Sequence, residues 1–320
     1  MADAPKATSH DAAPRDDAAG DRRCGVIAII GAPNAGKSTL VNALVGAKVT
    51  ITSRKVQTTR IQIRGIAMEG ASQLVLIDTP GIFAPKRRLD KAMVASAWAG
   101  AADADQVLVL VDAAKGIDED VERLIARLAE QPGRKPILVL NKVDRVEDKG
   151  RLLALVQELS SRLAVERVFM IAALTGDGVS ELRRYLAAHV PQGPWLYPED
   201  ELSDIPMRQL AAEVTREKIY DNLHDELPYQ ITVETESWKT LRDKSVRVDQ
   251  VIYVERDSQK SIVLGKGGQT VKKISQASRA ELTQIVGAPV HLFLFVKVRE
   301  GCDRDPARYR EMGLEFPTDD

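Results

Sequence analysis

From Cys24 onward, short β-rich apolar runs alternate with stretches in which apolar residues recur at helical spacing. The runs are Gly25 to Ile30, Ile61 to Ala67, Leu74 to Ile77, Gln106 to Val111, Ile137 to Leu140 and Val168 to Ile171. Between them, Val121, Leu124, Ile125 and Leu128 share one face of a helix over Asp120 to Ala129. Leu152, Leu155, Val156 and Leu159 do the same over Arg151 to Leu163, and another helix opens near Lys37. Strands this apolar need cover on both sides, so residues 23–190 are expected to form an α/β domain: a mostly parallel sheet with helices on both faces.

The pattern changes at Pro191. Closely spaced prolines at 191, 194 and 198 deny both helix and ladder hydrogen bonding, which predicts an interdomain linker over 191–205. Beyond it the order is a helix from about Pro206 to Leu223, strands Tyr229 to Glu236 and Val246 to Glu255, and a short apolar turn Ser261 to Leu264. A glycine loop, a helix Gln269 to Val286 and a strand Val290 to Val298 complete it. This αββααβ order predicts a compact α+β unit over 206–300, leaving residues 301–320 as a C-terminal tail. The Ala- and Asp-rich residues 1–22 contain no apolar core of a secretory signal and read as a disordered tail.

Composition adds exclusions. The 320 residues, 28% charged and 44% hydrophobic, suit two ordinary domains and rule out a coiled coil or a collagen-like chain. Cys24 and Cys302 lie too far apart in sequence to suggest a disulfide framework or a metal site, which favours a cytoplasmic setting. The longest apolar runs are strand length, well short of the roughly 20 residues that span a bilayer. The net charge of -1 hides a segregation: residues 239–300 carry 12 basic and 6 acidic side chains, whereas 181–236 carry 5 and 12. A basic C-terminal module of this kind is the electrostatic footprint of nucleic acid.

The chemistry starts at Gly31-Ala32-Pro33-Asn34-Ala35-Gly36-Lys37-Ser38-Thr39, which follows a strand and opens a helix. This is the setting a phosphate loop requires: backbone N–H groups cradle phosphates, Lys37 reaches the β and γ phosphates, and the Ser38 hydroxyl meets Mg²⁺. Asn141-Lys142-Val143-Asp144 follows another buried strand. There the Asp144 carboxylate accepts from the guanine ring N–H and amine, Asn141 faces the imidazole side and Lys142 covers the base, so GTP is expected over ATP. Asp78-Thr79-Pro80-Gly81-Ile82 closes the strand before it, with Asp78 holding Mg²⁺ through water and Gly81 turning its N–H toward the γ-phosphate. Among Gln57-Thr58-Thr59-Arg60, Thr59 is favoured to complete the metal shell. Isoleucine at 82 cannot orient water, so intrinsic turnover should be slow.

In the second unit, Gly265-Lys266-Gly267-Gly268 precedes a helix carrying Lys272 and Lys273 away from its apolar arc. A G-x-x-G loop at a helix mouth suits a sugar-phosphate backbone, and within αββααβ it is the signature of a type II KH module that clamps about four nucleotides. Two other readings stand beside this one: a metabolic or signalling GTPase whose second domain binds protein, and an RNA-binding scaffold that binds nucleotide without hydrolysing it.

A guanine-nucleotide P-loop domain followed by a KH module resembles the Era family of bacterial GTPases. The resemblance runs from about Cys24 to Glu315 and includes Ile51 to Arg60, Tyr197 to Asp200, Arg216 to Ile219, Glu226 to Tyr229 and Ala288 to Leu292. It implies GTP and GDP binding with Mg²⁺, GTP hydrolysis, binding of the 3′ end of 16S rRNA through the KH loop, and a role in assembling the 30S subunit as a monomer. It further implies a K⁺ ion held by Asn34, and peripheral association with the inner membrane, for which the sequence offers no amphipathic anchor. Ala172-Ala173-Leu174 stands at the guanine-supporting loop, where the family usually begins with serine. The Ala173 N–H would serve the base oxygen.

Overall fold

The computed structural model describes residues 21–317 except 54, 56–58, 61, 86, 131, 132, 134, 225, 226, 300–305, 307, 308, 310 and 311. The expected N-terminal tail, apart from its last residues, therefore lies outside the described residues, as do Gln57, Thr58, Ile61 and Cys302.

The first domain runs β1 (Arg23–Gly31), α1 (Lys37–Val45), β2 (Ile63–Glu69), β3 (Ser72–Asp78), α2 (Arg88–Asp103), β4 (Gln106–Asp112), α3 (Glu119–Ala129), β5 (Ile137–Asn141), α4 (Lys149–Arg162), β6 (Arg167–Ile171) and α5 (Val179–His189). Its six-stranded sheet has the order β2-β3-β1-β4-β5-β6, with β2 antiparallel to β3 and every other pair parallel. Period-two alternation divides β1 cleanly. Ile27 and Ile29 pack with Leu40 and Leu44 of α1 and Leu182 and Leu186 of α5. Ala28 and Ile30 face the opposite layer, against Ala97 of α2, Leu124 of α3 and Leu155 of α4. Both faces are thus covered, and the C-terminal ends of β1, β3 and β5 converge on one rim, where ligands of open α/β sheets bind.

The second unit runs α6 (Met207–Asn222), α7 (Leu227–Gln230), β7 (Thr232–Thr240), β8 (Val246–Val254), α8 (Asp257–Leu264), α9 (Gln269–Val286) and β9 (Val290–Val298). In its sheet β7 pairs antiparallel with β8 and β9 parallel with β8. Ile219 of α6, Ile252 of β8 and Ile274 of α9 share a core.

Three expectations change. The strand foreseen from Tyr229 begins at Thr232, because Leu227-Pro228-Tyr229-Gln230 forms the one-turn helix α7. The turn foreseen at Ser261 to Leu264 is the end of α8, whose start Gln259 secures by accepting from the Glu255 and Arg256 N–H groups. The segment after 300 is not a free tail: Tyr309 and Leu314, 1% and 3% exposed, pack with Ala92 and Met93 of α2. The proline-rich stretch is also strapped down. Gln73 accepts the Leu196 and Tyr197 N–H groups, and the Leu202 carbonyl accepts from Ile66 N–H.

Candidate functional site: the phosphate loop and the glycine loop

Between β1 and α1 the chain turns on two glycines. Gly36 has φ of 100°, in the left-handed region, and a Cβ on Gly31 would meet the Leu110 carbonyl oxygen at 2.4 Å, so neither position takes a larger residue. The loop opens onto a cavity of about 460 Å³ whose lining includes Pro33, Asn34, Gly36, Lys37, Ser38, Thr39, Thr59, Gly81 and Lys142. Lys37 is buried and rests its ammonium on the carbonyls of Gly31 and Ala32, at 3.2 and 3.0 Å. Burial pushes it down to about 8, with Lys142 adding to the drop and the Asp78 carboxylate opposing it.

Asp78 is fully buried at the end of β3, and burial pushes its carboxyl up against the hydroxyls that hold it. Its Oδ2 accepts from Ser38 Oγ at 2.8 Å, Thr50 Oγ1 at 2.7 Å and Thr59 Oγ1 at 3.2 Å, and Ser38 Oγ lies 3.0 Å from Thr59 Oγ1. Its Oδ1 is buried with no hydrogen-bond partner. An all-oxygen set with one unsatisfied buried carboxylate oxygen fits a hard divalent cation such as Mg²⁺. The sequence reading missed Thr50. Its hydroxyl becomes relevant only when the fold brings it to Asp78, and Asn42 of α1 fixes it there by bonding both its N–H and its carbonyl.

The loop after β3 departs from expectation in two places. The Thr79 hydroxyl is buried on the Ile29 carbonyl at 2.6 Å, and the Ile82 side chain belongs to the core around α2, with its N–H on the Gly31 carbonyl. Both side chains anchor the loop and do not face the cavity. Pro80 is buried, and a Cβ on Gly81 would meet Pro33 Cα at 3.1 Å, so this loop lies directly on the phosphate loop.

At the base end, Lys142 adopts φ of 63° and sends its ammonium to the Asn34 carbonyl and to Asp112 Oδ2, each at 2.6 Å. Asp144 follows in a one-turn 3₁₀ helix that buries Val143 and leaves Asp144 exposed. Asn141 also ties two loops together: its amide donates to the Ala35 carbonyl at 2.8 Å and accepts from Ala173 N–H at 3.0 Å. Asn141 thereby splices the phosphate loop to the loop after β6 and keeps a second amide N–H, whereas the single Ala173 N–H is taken up by this bond. Ala172 is buried there and Leu174 is 76% exposed. Arg145, which sequence reasoning passed over, lines the cavity one residue beyond Asp144.

At the second site, Gly265, Gly267 and Gly268 all have positive φ, at 70°, 61° and 77°, and lead straight into α9. A Cβ on Gly267 or Gly268 would meet nothing within 4 Å, so the loop faces open space. Lys266, Lys272 and Lys273 are exposed around it, and Ile274, Ser278 and Leu282 form the buried side of α9. Positive side chains thus ring the N-terminus of an eighteen-residue helix, an arrangement suited to an anion.

Fold and site together define a P-loop GTPase carrying a KH domain. Residues 26–142 match the family model described as 50S ribosome-binding GTPase, and residues 226–301 match the KH domain model. The chain is 64% identical to GTPase Era of Afipia carboxidovorans over 297 residues, covering 93% of this chain and 96% of the relative. It is 61% identical to GTPase Era of Brucella suis, covering 92% and 94%. Among solved structures, an Era in complex with MgGDPNP and nucleotides 1506–1542 of 16S ribosomal RNA superposes with a TM-score of 0.86 at 35% identity, covering 91% of this chain and 99% of that one. A variant Era of Aquifex aeolicus bound to GDP and AlF₄⁻ gives 0.85 at the same identity and the same coverage of both chains. The chain belongs to the Era family of GTPases.

Proposed function

We propose that this GTPase is a nucleotide-switched RNA-binding factor of 30S subunit assembly, cytoplasmic and monomeric, with Mg²⁺ in its nucleotide site and the 3′ end of 16S rRNA on its KH loop. The observation that carries the reading is the cluster of Ser38, Thr59 and Asp78 with its unsatisfied carboxylate oxygen, in a chain whose fold matches an Era bound to MgGDPNP and 16S RNA.

In this reading the N–H groups from Gly31 to Thr39 cradle the phosphates, and Lys37 moves from the loop carbonyls onto them. Ser38 and Thr59 hold the cation directly and Asp78 holds it through water; when bound, Mg²⁺ neutralises phosphate charge. Asp144 selects guanine, while Asn141 and Ala172 to Leu174 shape the base pocket. The core position of Ile82 supplies no group to orient water, so hydrolysis rests on electrostatics, with Gly81 N–H at the γ-phosphate and a K⁺ ion at Asn34. Turnover in K⁺ against Na⁺ tests that ion, and equal rates would remove it. Gly265 to Gly268 with Lys272 and Lys273 take the RNA backbone.

Among the described residues no helix is long and apolar enough to cross a membrane. Inner-membrane association is therefore assigned as peripheral, and co-flotation with anionic vesicles checks it. The deciding experiment titrates the protein with a 16S 3′-end oligonucleotide in GDPNP and in GDP. Salt-dependent, sequence-selective binding is expected, and its absence in both states would refute the reading.

A further inference from the structure

The described residues between Lys48 and Arg60 face two ways. Thr50 and Thr59 turn inward to Asp78 Oδ2. Lys48, Thr52 and Arg60 turn outward to the KH side. Thr52 donates its N–H to Glu217 Oε1 at 2.8 Å, and Lys48 pairs with Glu217 Oε2 at 2.7 Å and also with Glu281 of α9. Glu217, on α6, is 3% exposed. Arg60 directly follows Thr59 and is 8% exposed. Its Nη1 donates to the Ile231 carbonyl at 2.9 Å, and its Nη2 to the Tyr229 carbonyl at 2.9 Å, the Pro228 carbonyl at 3.3 Å and the Tyr220 hydroxyl at 3.1 Å.

These contacts answer a local need. The helix α7 has only four residues, so its carbonyls lack the partners that a longer helix supplies. Arg60 caps two of them from the other domain. All four of its acceptors are neutral oxygens, three of them sharing the two hydrogens of Nη2, so the buried guanidinium depends on this set of bonds as a group. A displacement of about 1 Å takes most of them beyond hydrogen-bonding distance together, which makes docking an all-or-none event. One peptide link separates this plug from the Thr59 hydroxyl.

We infer that Arg60 is the positioning residue through which the KH module senses the bound nucleotide: the seating of Thr59 beside Ser38 and Asp78 and the capping of α7 by Arg60 are a single movement, with Glu217 holding the front of the same segment. The capped α7 leads through Ile231 into β7, so the movement is delivered to the KH sheet. This deepens the proposed function and rests on it for the RNA readout.

The test compares wild type with R60K, which keeps the charge but not the fork of donors, and with E217Q. RNA affinity is measured in GDPNP and in GDP, and amide exchange of residues 227–232 is followed in the same two states without RNA. Wild type is expected to show a ratio of RNA affinities of about tenfold or more, within the usual range of allosteric coupling. R60K should bring that ratio within about twofold of unity, with GDP affinity kept, and should abolish the nucleotide-dependent change in exchange at α7. E217Q should give a partial loss of the ratio. A wild type with equal RNA affinity in both states, or an R60K protein that keeps both the ratio and the exchange difference, overturns the inference. If R60K weakens RNA binding equally in both states, Arg60 is merely structural and the inference also falls. Absence of RNA binding by wild type would instead refute the proposed function, and the exchange measurement alone would then decide the role of Arg60.

Discussion

Lys37 is the residue whose surroundings make the sharpest demand on conditions. Its ammonium is buried and held down to about 8, yet it must be charged to meet phosphate. In the proposed site a phosphate partner would raise the pKa again, so nucleotide binding should take up a proton once the solution rises above pH 8. Affinity for GTP should fall about tenfold between pH 7 and pH 9, and a pH-independent dissociation constant would show that Lys37 does not contact phosphate. The same depression works on folding with the opposite sign. Between about pH 8 and the ordinary lysine range the unfolded chain binds more protons, so the nucleotide-free protein gains stability from this group as pH rises. Asp144 bears the other residue-scale prediction. Asp144→Asn should weaken GTP binding by roughly tenfold to a hundredfold and favour xanthosine nucleotides, as read by displacement of labelled GDP. Retained guanine selectivity would count against its role.

Elements differ in how far they could be read from sequence, and the difference lies in the range of the forces that shape them. The phosphate loop was legible because its constraint is local: Gly36 needs its left-handed φ whatever surrounds it. The loop before α9 was legible for the same reason. Gly268→Asp places a carboxylate where RNA phosphate is expected, and filter binding should show a loss of about tenfold or more while GTP hydrolysis is unchanged. By contrast, α8 buries only Val263 and carries no apolar stripe to announce a helix. The segment containing α7 holds Tyr229, Ile231, Thr232 and Val233, a strand-like composition that Pro228 and the cap from Arg60 override locally. Thr50 meets Asp78 across 28 positions and Arg60 meets Ile231 across 171, so neither contact was visible before the fold brought them together. Ile82 and Thr79 lie within a recognisable motif, yet their side chains serve the scaffold around the site.

At the scale of the whole molecule, the KH module is fastened to the GTPase domain on both sides of its own chain. The strap before α6 lies on β2 and β3 through Gln73 and Ile66, and the segment after β9 returns to α2 through Tyr309 and Leu314. Tyr309→Ala should cost about 3 kcal/mol of stability, read as an earlier urea transition, because it empties a buried aromatic site on α2. An unchanged midpoint would mean that the segment is dispensable to the fold. The double attachment also fixes how the molecule can move. A body held by one tether wanders, whereas a body held at two separated points can only swing about the line joining them, as a door does on its hinges. Once the contacts of Lys48, Thr52 and Arg60 with the KH module let go, any reorientation of the RNA-binding face is left with a single angular degree of freedom. Cutting the chain after residue 305 removes one hinge, and the motion widens from a swing to a tumble.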